Sequence, residues 1–459
     1  MSMEQYLGVY FLGIGGIGMS ALARYFALKG RVVAGYDRTP SAITSQLAEM
    51  GIGIHFTDDA ELIPSEFRNP ATTLVVYTPA VPETLAELAY FRRGGFQLLK
   101  RAQVLGMLSL GYQTLAVAGT HGKTTTSTLL AYLLGSSSVG CDAFLGGISK
   151  NYGSNLVTAD KGRKLLVAEA DEYDRSFLNL HPQLAVITSV DPDHLDIYGD
   201  YERVVEAFNQ FAGQVKPNGT LIAKSGLGIA PIPERGVTRL TYGLSSDADF
   251  YPVNLSLNEG CYGFSLETPN GTIDDLKLGV PGLFNLENSI AAAAAAITCG
   301  ISHDELRSGL LSFSGVSRRF DIRFKSSRTV YVDDYAHHPR EIEAMIESAR
   351  QVYPNRKITG IFQPHLYSRT RDFAFDFARS LDKLDMAILL DIYPAREQPI
   401  EGITSQTIAD KMNNPNRLLL DKADLLEWLR KNDVDVLLTM GAGDIDRLAP
   451  EIVKIFEAK

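Results

Sequence analysis

Strand-like apolar runs alternate with amphipathic helical stretches in the first hundred residues. The apolar runs cover 6–13, 31–37 and 73–79, and helical patterns run from 16 to about 29 and again after Pro40. This alternation is typical of a parallel sheet with crossover helices. The pattern therefore predicts a Rossmann-like α/β domain at the amino terminus.

A second series of the same kind follows. Continuous apolar strands are predicted at 113–118, 164–168 and 184–190, with a helix at 124–134. Unbroken apolar strands suit a sheet that is buried on both faces. Between about 216 and 281, short alternating runs are separated by Asn-Gly turn signals, which indicate a small β subregion within this central domain.

A third series follows Arg319, with strands predicted at 329–333, 357–362, 386–392 and 434–440. It predicts a second Rossmann-like α/β domain, so the fold class is α/β with three parallel-sheet domains. The expected domain bounds are 1–108, 109–320 and 321–459.

The composition of the chain argues against nucleic-acid-binding and membrane-spanning proteins. The 459 residues include 44 lysines and arginines against 54 aspartates and glutamates, a net charge of -10, which repels a phosphate backbone. No apolar stretch approaches the roughly 20 residues that a bilayer span needs. The three cysteines, which are far apart in sequence, fit a reducing compartment. We expect a cytoplasmic protein with no nucleic-acid partner and no membrane insertion.

A phosphate-binding loop is predicted at 119–125, between a strand and a helix. Its residues are Gly119, Thr120, His121, Gly122, Lys123, Thr124 and Thr125. Backbone N–H groups and the helix N-terminus can surround a polyphosphate, while Lys123 neutralises it and Thr124 holds magnesium. The general pattern has a glycine where this chain has Val117, but the Gly-Lys-Thr context indicates ATP binding.

A second glycine-rich loop lies near the amino terminus. Gly13, Ile14, Gly15, Gly16, Ile17 and Gly18 match GxGxxG after a strand, and Asp37 ends the next strand, where an acid can reach a ribose. A dinucleotide is the usual ligand, yet the glycines only permit close approach of a diphosphate at a helix N-terminus. Any nucleoside diphosphate would fit.

Two diphosphate sites, of which only one has the Lys-Thr pair, suggest that ATP drives a reaction on a second ligand that carries its own diphosphate. This favours an ATP-dependent ligase or kinase. Two other classes stay open: an NAD-dependent oxidoreductase built on the first glycine loop, and a nonenzymatic nucleotide sensor.

Polar segments at four further strand ends carry candidate chemistry. Acids at 169–172 and 191–196 lie where ligands of parallel sheets bind and can hold magnesium. The segments 332–339 and 363–370 supply histidines and an arginine suited to a carboxylate. The neighbouring histidines in the first of these segments also fit a helix cap and a buried side chain.

The chain resembles the Mur amide ligases of bacterial peptidoglycan synthesis. The resemblance rests on segments spread over nearly the whole chain: 13–20, 118–125, 169–174, 194–196, 317–320, 333–339 and 362–370. It implies three α/β domains that bind, in chain order, a UDP-sugar, ATP and the incoming amino acid. A glycine is normally absent at the Val117 position in that family.

The resemblance also implies roles for individual residues. The UDP-sugar would lie at the loop 13–18 and Asp37. ATP would be held by the loop 119–125 with Asn285 at adenine, Arg319 at the γ-phosphate and Asp334 at the ribose. Magnesium, or manganese as a substitute, would be bound by Thr124, Glu169 and His194. The amino acid would meet Tyr335, His337, His365 and Arg369. Residues with catalytic roles would be Lys123, His194, Arg319, His337, His338 and His365.

The implied reaction joins the carboxylate of UDP-N-acetylmuramate to L-alanine through an acyl phosphate, with ATP converted to ADP. No protein nucleophile is needed, since the task is to neutralise and position charges. Two positions depart from the family pattern: Phe284 and Leu366 stand where relatives often have histidine and arginine. A recycling ligase that attaches a ready-made peptide is the alternative within the family. We expect a monomer or a weak homodimer.

Overall fold

The computed structural model describes residues 3–159, 164–192, 195–230, 235–258, 260–395 and 397–459. The chain divides into two compact units. The first comprises Met1–Pro252, Leu266–Ile273 and Asn288–Leu310, and the second comprises Val253–Ser265, Asp274–Glu287 and Leu311–Lys459.

The amino-terminal sheet has five parallel strands in the order β3-β2-β1-β4-β5. Its strands are β1 (Gly8–Leu12), β2 (Val32–Tyr36), β3 (Gly53–His55), β4 (Thr73–Tyr77) and β5 (Gln97–Lys100). Its helices are α1 (Ile17–Leu28), α2 (Ala42–Glu49), α3 (Ala86–Arg93) and α4 (Arg101–Ser109). The strand order reverses at β1, and β1 leads directly into the first glycine loop, the position where doubly wound sheets bind ligands.

The central sheet has seven strands in the order β12-β11-β10-β6-β9-β7-β8. They are β6 (Gln113–Ala118), β7 (Asp142–Ser149), β8 (Ser154–Val157), β9 (Leu165–Glu169), β10 (Leu184–Ile187), β11 (Thr220–Lys224) and β12 (Thr238–Tyr242). The helices here are α5 (Lys123–Gly135), α6 (Leu195–Tyr198) and α7 (Tyr201–Gly213). Only β7 and β8 pair antiparallel. Strand β6 lies between β10 and β9, so their ends surround the phosphate loop.

Both sheets share one apolar core within the first unit. Helix α1 packs on β7 and β8, where the Tyr25 and Phe144 rings lie 5.4 Å apart. On β8, the Asn155 side-chain amide donates to the Ser20 hydroxyl at 2.9 Å and to the Ile17 carbonyl at 2.5 Å. The first turns of α1 are therefore fixed against the central sheet.

A three-stranded sheet, β13 (Tyr251–Asn258), β14 (Cys261–Thr268) and β15 (Gly271–Lys277), follows. Next come α8 (Leu283–Thr298) and α9 (His303–Ser312). The carboxyl-terminal sheet has the order β16-β17-β21-β18-β19-β20. Its strands are β16 (Asp321–Lys325), β17 (Val330–Asp334), β18 (Ile358–Phe362), β19 (Met386–Leu389), β20 (Arg417–Leu419) and β21 (Val436–Met440). Its helices are α10 (Pro339–Val352), α11 (Tyr367–Leu381), α12 (Gln406–Ala409), α13 (Lys422–Lys431) and α14 (Ala449–Glu457).

The α/β prediction, with three mainly parallel sheets and a small β region, is confirmed by this architecture. The domain bounds at 108 and 320 stay predictions. Within the described part of the chain, no helix combines the length and the apolar character needed to cross a membrane.

Candidate active site

The loop between β6 and α5 is the predicted ATP site, and its shape requires glycine. Gly119 and Gly122 have φ angles of 139° and 80°. A Cβ on Gly119 would lie 2.0 Å from the Thr188 hydroxyl oxygen. One on Gly122 would lie 2.5 Å from Asn288 Oδ1. A side chain at either position would displace the loop that leads into the N-terminus of α5.

Side chains that directly follow β10 form hydrogen bonds with this loop and fix its position. Ser189 Oγ accepts a hydrogen bond from the His121 amide at 2.7 Å and lies 2.9 Å from Thr120 Oγ1. The Thr188 hydroxyl donates to the Ala118 carbonyl at 3.1 Å and also to the His121 carbonyl. Thr120 and His121 thus lie in the loop as predicted. The sequence analysis did not single out Thr188 or Ser189.

The Lys123 ammonium lies against the loop. Its Nζ donates to the Gly119 carbonyl at 2.6 Å and to Glu172 Oε1 at 2.9 Å. The side chains of Lys123 and Glu172 are only 13% and 1% exposed. Burial works to lower the pKa of Lys123, but nearby carboxylates, Glu172 foremost, outweigh it and raise that pKa. Lys123 therefore keeps the positive charge that a phosphate needs.

Oxygen ligands for a magnesium ion lie beside this lysine. Glu169 ends β9, with Val117 of β6 as its register partner. Thr124 is buried in the first turn of α5, and Ser127, one turn later, donates to Glu169 Oε2 at 3.5 Å. Carboxylate and hydroxyl oxygens are preferred by Mg²⁺, which completes its shell with water and phosphate oxygens. Thr124 and Glu169 therefore fit the ion, whereas His194 lies outside the described residues.

The loop between β1 and α1 is the predicted UDP-sugar site. Gly13 has a φ of 86°, and Gly16 N donates to the Gly13 carbonyl at 3.2 Å. Asp37 directly follows β2, and its carboxylate accepts from Gly15 N at 2.7 Å and from Thr39 N at 3.1 Å. The glycine loop is therefore in direct contact with Asp37, the acid predicted to bind the ribose.

Two further members of the glycine motif lie at the start of α1. Ile17 is its first residue, and a Cβ on Gly18 would lie 2.8 Å from Arg101 Cδ. Ile14, by contrast, is buried in the core. The Ile14 side chain therefore anchors the loop in the apolar core, while the glycines form the surface where a diphosphate would lie.

Lys100 and Arg101 connect this region to the acidic segment after β9. Arg101 Nη2 is 3.6 Å from Asp171 Oδ2, and Lys100 Nζ is 2.8 Å from Asp174 Oδ2. The same acidic segment supplies Glu172 to Lys123. It therefore contacts residues beside both glycine loops. Neither Lys100 nor Arg101 was predicted, although Lys100 ends β5 and Arg101 directly follows it at the ligand-binding edge.

In the second unit, Arg319, Asp334 and Tyr335 lie together. The Asp334 carboxylate is buried and accepts from Phe320 N at 2.7 Å and Ala336 N at 2.8 Å. Burial raises the pKa of Asp334 to about 6, although Arg319 and the two backbone groups favour its charged form. Arg319 Cζ lies 5.3 Å from the centre of the Tyr335 ring.

The predicted amino-acid residues Tyr335, His337 and His365 form one cluster. The His337 and His365 rings are 6.3 Å apart. His337 Nδ1 is 3.0 Å from the Tyr335 carbonyl oxygen and 3.2 Å from Glu341 Oε2. The Tyr393 ring stacks on His365 at 5.9 Å. Tyr393, which comes from the segment after β19, was missed by the sequence analysis.

The remaining predicted residues have varied surroundings. His338 caps α10, and its Nδ1 accepts from Arg340 N at 3.4 Å. Arg369 is half-buried in the first turn of α11. The buried Asn285 lies in the first turn of α8, and its side-chain amide donates to the Pro281 carbonyl at 2.6 Å. His338 therefore has a structural contact as the cap of α10, whereas Arg369 lies four residues along the chain from His365.

Three family models together match most of the chain. They are the Mur ligase family catalytic domain at residues 8–113, the Mur ligase middle domain at 117–296 and the Mur ligase glutamate ligase domain at 318–443. All three models describe successive parts of the same kind of enzyme.

Similar proteins cover the full length. The chain is 51% identical over 460 residues to UDP-N-acetylmuramate–L-alanine ligase from Phocaeicola vulgatus, covering 100% of both. It is 53% identical to the Porphyromonas gingivalis protein of the same name, covering 96% of this chain and 97% of that protein.

Among solved structures, UDP-N-acetylmuramate–alanine ligase from Thermotoga maritima matches with a TM-score of 0.82 and 27% identity, covering 99% of this chain and 100% of that one. A murein peptide ligase from Psychrobacter arcticus shares the fold, with a TM-score of 0.71, 21% identity and 98% of both chains covered. From these full-length matches and the three domain models, the chain belongs to the Mur ligase family.

Proposed function

We propose that this protein joins L-alanine to the carboxylate of UDP-N-acetylmuramate, with ATP converted to ADP and phosphate. The main structural support is that one compact unit holds two glycine loops, of which only one contains a lysine paired with a buried acid. Full-length relatives named for this reaction support the assignment. The reaction belongs to peptidoglycan precursor synthesis in the cytoplasm, and we propose a monomer or weak homodimer.

In the first step, a carboxylate oxygen of the muramoyl group attacks the γ-phosphorus of ATP, and the bond to the ADP oxygen breaks. The products are an acyl phosphate and ADP. The two reactants repel each other because both are anions, so the barrier falls when fixed cations neutralise them. Lys123 and Arg319 supply those charges, Asn285 contacts adenine and Asp334 contacts the ribose.

In the second step, the amine of L-alanine attacks the acyl carbon and phosphate leaves. The amine gives up a proton as the amide forms, so a neutral imidazole must stand nearby. His337 and His365 are the candidate bases. Arg369 pairs with the alanine carboxylate, and Tyr335 lines the same site.

Magnesium fits the oxygen ligands of the first unit. Thr124 and Glu169 would hold it, with His194 as a further proposed ligand. When bound, Mg²⁺ or Mn²⁺ would neutralise part of the phosphate charge.

The alternatives are less well supported. Murein peptide ligases share the fold, but the full-length relatives near 50% identity are named for alanine addition. An oxidoreductase would leave Lys123 and its buried partner Glu172 without a role. A nucleotide sensor would need no second diphosphate site.

The test measures ADP release with ATP, magnesium and UDP-N-acetylmuramate, to which alanine, glycine, serine or a murein peptide is added in turn. We expect ADP formation that depends on both substrates and is fastest with L-alanine. Turnover with the peptide alone would establish the recycling reaction instead. A change in absorbance of a nicotinamide cofactor, without phosphate release, would favour an oxidoreductase.

A further inference from the structure

A distant acid caps the helix that carries Arg369. Helix α11 begins at Tyr367, and the preceding Leu366 makes no side-chain capping bond. Glu397, 29 residues from Ser368, accepts from Ser368 N at 3.0 Å and also from the Ser368 hydroxyl. A carboxylate at this position satisfies an unpaired N–H group and interacts favourably with the helix dipole.

The connection into α11 is strained. Leu366 has a φ of 72° and a ψ of 136°, which is rare for a residue with a side chain. Leu366 N donates to the Tyr393 carbonyl at 3.0 Å, and Tyr393 N donates to the Pro364 carbonyl at 2.8 Å. Such a conformation persists only where its surroundings fix it. Tyr393 and Glu397 provide that support, Tyr393 on the residues before α11 and Glu397 on its first turn.

This support lies at the amino-acid site. His365 directly precedes the strained residue, and its ring stacks on Tyr393. Arg369 follows in the first turn of α11. The separation between the imidazole and the guanidinium therefore depends on how Tyr393 and Glu397 hold the start of α11.

We propose that Glu397 is a positioning residue for the amino-acid substrate. Through Ser368 it fixes the first turn of α11, and so sets where Arg369 meets the substrate carboxylate relative to His365. Glu397 acts without touching the substrate. The inference deepens the proposed function and rests on it.

Glu397→Ala, Glu397→Gln and the control Glu401→Gln test this role. Glu401 lies four residues further along and is exposed. Loss of a charged cap should raise the KM for L-alanine about tenfold in Glu397→Ala. We expect kcat to fall by less than about threefold, and the KM for ATP to stay within about twofold. Glu397→Gln keeps an oxygen that can accept from Ser368 N, so its KM for alanine should recover to within about threefold of wild type.

Hydrogen exchange in the 366–370 segment tests the cap independently of turnover. We expect faster exchange there in Glu397→Ala and wild-type exchange in Glu401→Gln. An active Glu397→Ala enzyme with an unchanged KM for alanine would overturn the inference, as would equal losses for alanine and ATP. Failure of the proposed function would instead appear as a wild-type enzyme that forms no amide.

Discussion

The two glycine loops have a similar backbone arrangement but differ in the charged side chains beside them. In both, a parallel strand leads through a glycine-rich loop into a helix N-terminus, with positive φ at Gly13 in the first loop and at Gly119 and Gly122 in the second. The loop at 119–122 is followed by Lys123, held by Glu172, whereas the loop at 13–16 has Asp37 on its own Gly15 amide. A fixed cation is needed where a phosphoryl group is transferred, but a diphosphate that only anchors a substrate can be held by N–H groups.

The buried glutamates of the two domains make the same contrast. Glu172 pairs with Lys123 at 2.8 Å. Glu87, on α3, is fully buried, accepts from the Tyr10 hydroxyl at 2.7 Å and lies 3.3 Å from His55 Nε2. Burial, with a smaller contribution from the nearby Asp58 carboxylate, raises the pKa of Glu87 to about 7. The surroundings of Glu172 therefore stabilise a charged carboxylate, and those of Glu87 favour a neutral acid.

Lys123→Ala should produce the largest effect. Removing the ammonium group from the proposed ATP loop should lower kcat by about a thousandfold or more. The affinity for UDP-N-acetylmuramate, measured by calorimetry without ATP, should stay within about twofold of wild type. Near-normal turnover would show that Lys123 does not set the two loops apart in function.

Glu172→Gln should mainly lower stability. It leaves the Lys123 ammonium buried beside a neutral amide, which should cost about 3 kcal/mol. ATP should restore part of the unfolding temperature, since its phosphates replace the lost charge. Tyr198→Phe is the control: it removes only the hydroxyl bond to the Glu172 carbonyl, which spans 2.6 Å. That variant should lose about 1 kcal/mol, with no recovery specific to ATP.

Glu87→Gln should change the pH dependence of stability. The folded-state pKa of about 7 exceeds the ordinary 4.5, so the folded state retains its proton longer and wild-type stability falls as pH rises through that range. Between these two pKa values, the free energy of unfolding of the wild type should fall by about 3 kcal/mol relative to that of Glu87→Gln. The lowered pKa of His55 acts in the opposite direction in both proteins.

Urea unfolding at several pH values would measure this difference. Hydrogen exchange of the β1 amides would provide a second, independent measurement. Parallel curves for wild type and Glu87→Gln would mean that Glu87 is ionised throughout, and the contrast with Glu172 would be lost.

Alanine in place of one glycine in each loop should have the smallest and most selective effects. A Cβ on Gly15 would lie 2.8 Å from Asp37 Oδ2, so Gly15→Ala should weaken UDP-sugar binding about tenfold and spare ATP. Gly122→Ala should do the reverse. Calorimetric titration of each variant with each ligand checks the crossover, and equal losses of both ligands would contradict it.

Local patterns predicted much of this molecule. The apolar runs that became β1, β6 and β10 were identified because strands buried on both faces need continuous apolar residues. The short strands β3, β5 and β20 were not predicted, since their hydrogen bonds with a neighbouring strand define them more than any pattern of their own. Helix α10 begins at Pro339 as expected, because proline suits a first helical position.

The sequence by itself determined the glycine loops and the position of Lys123, because loop, lysine and helix start are contiguous and their geometry is local. Tertiary structure alone decided which side chains complete each site. Glu172, Asn288 and Glu397 reach their partners through sheet order and loop packing, and no spacing along the chain encodes those contacts. Long-range pairing depends on how whole elements fit together, so a residue's role emerges only once they are in place.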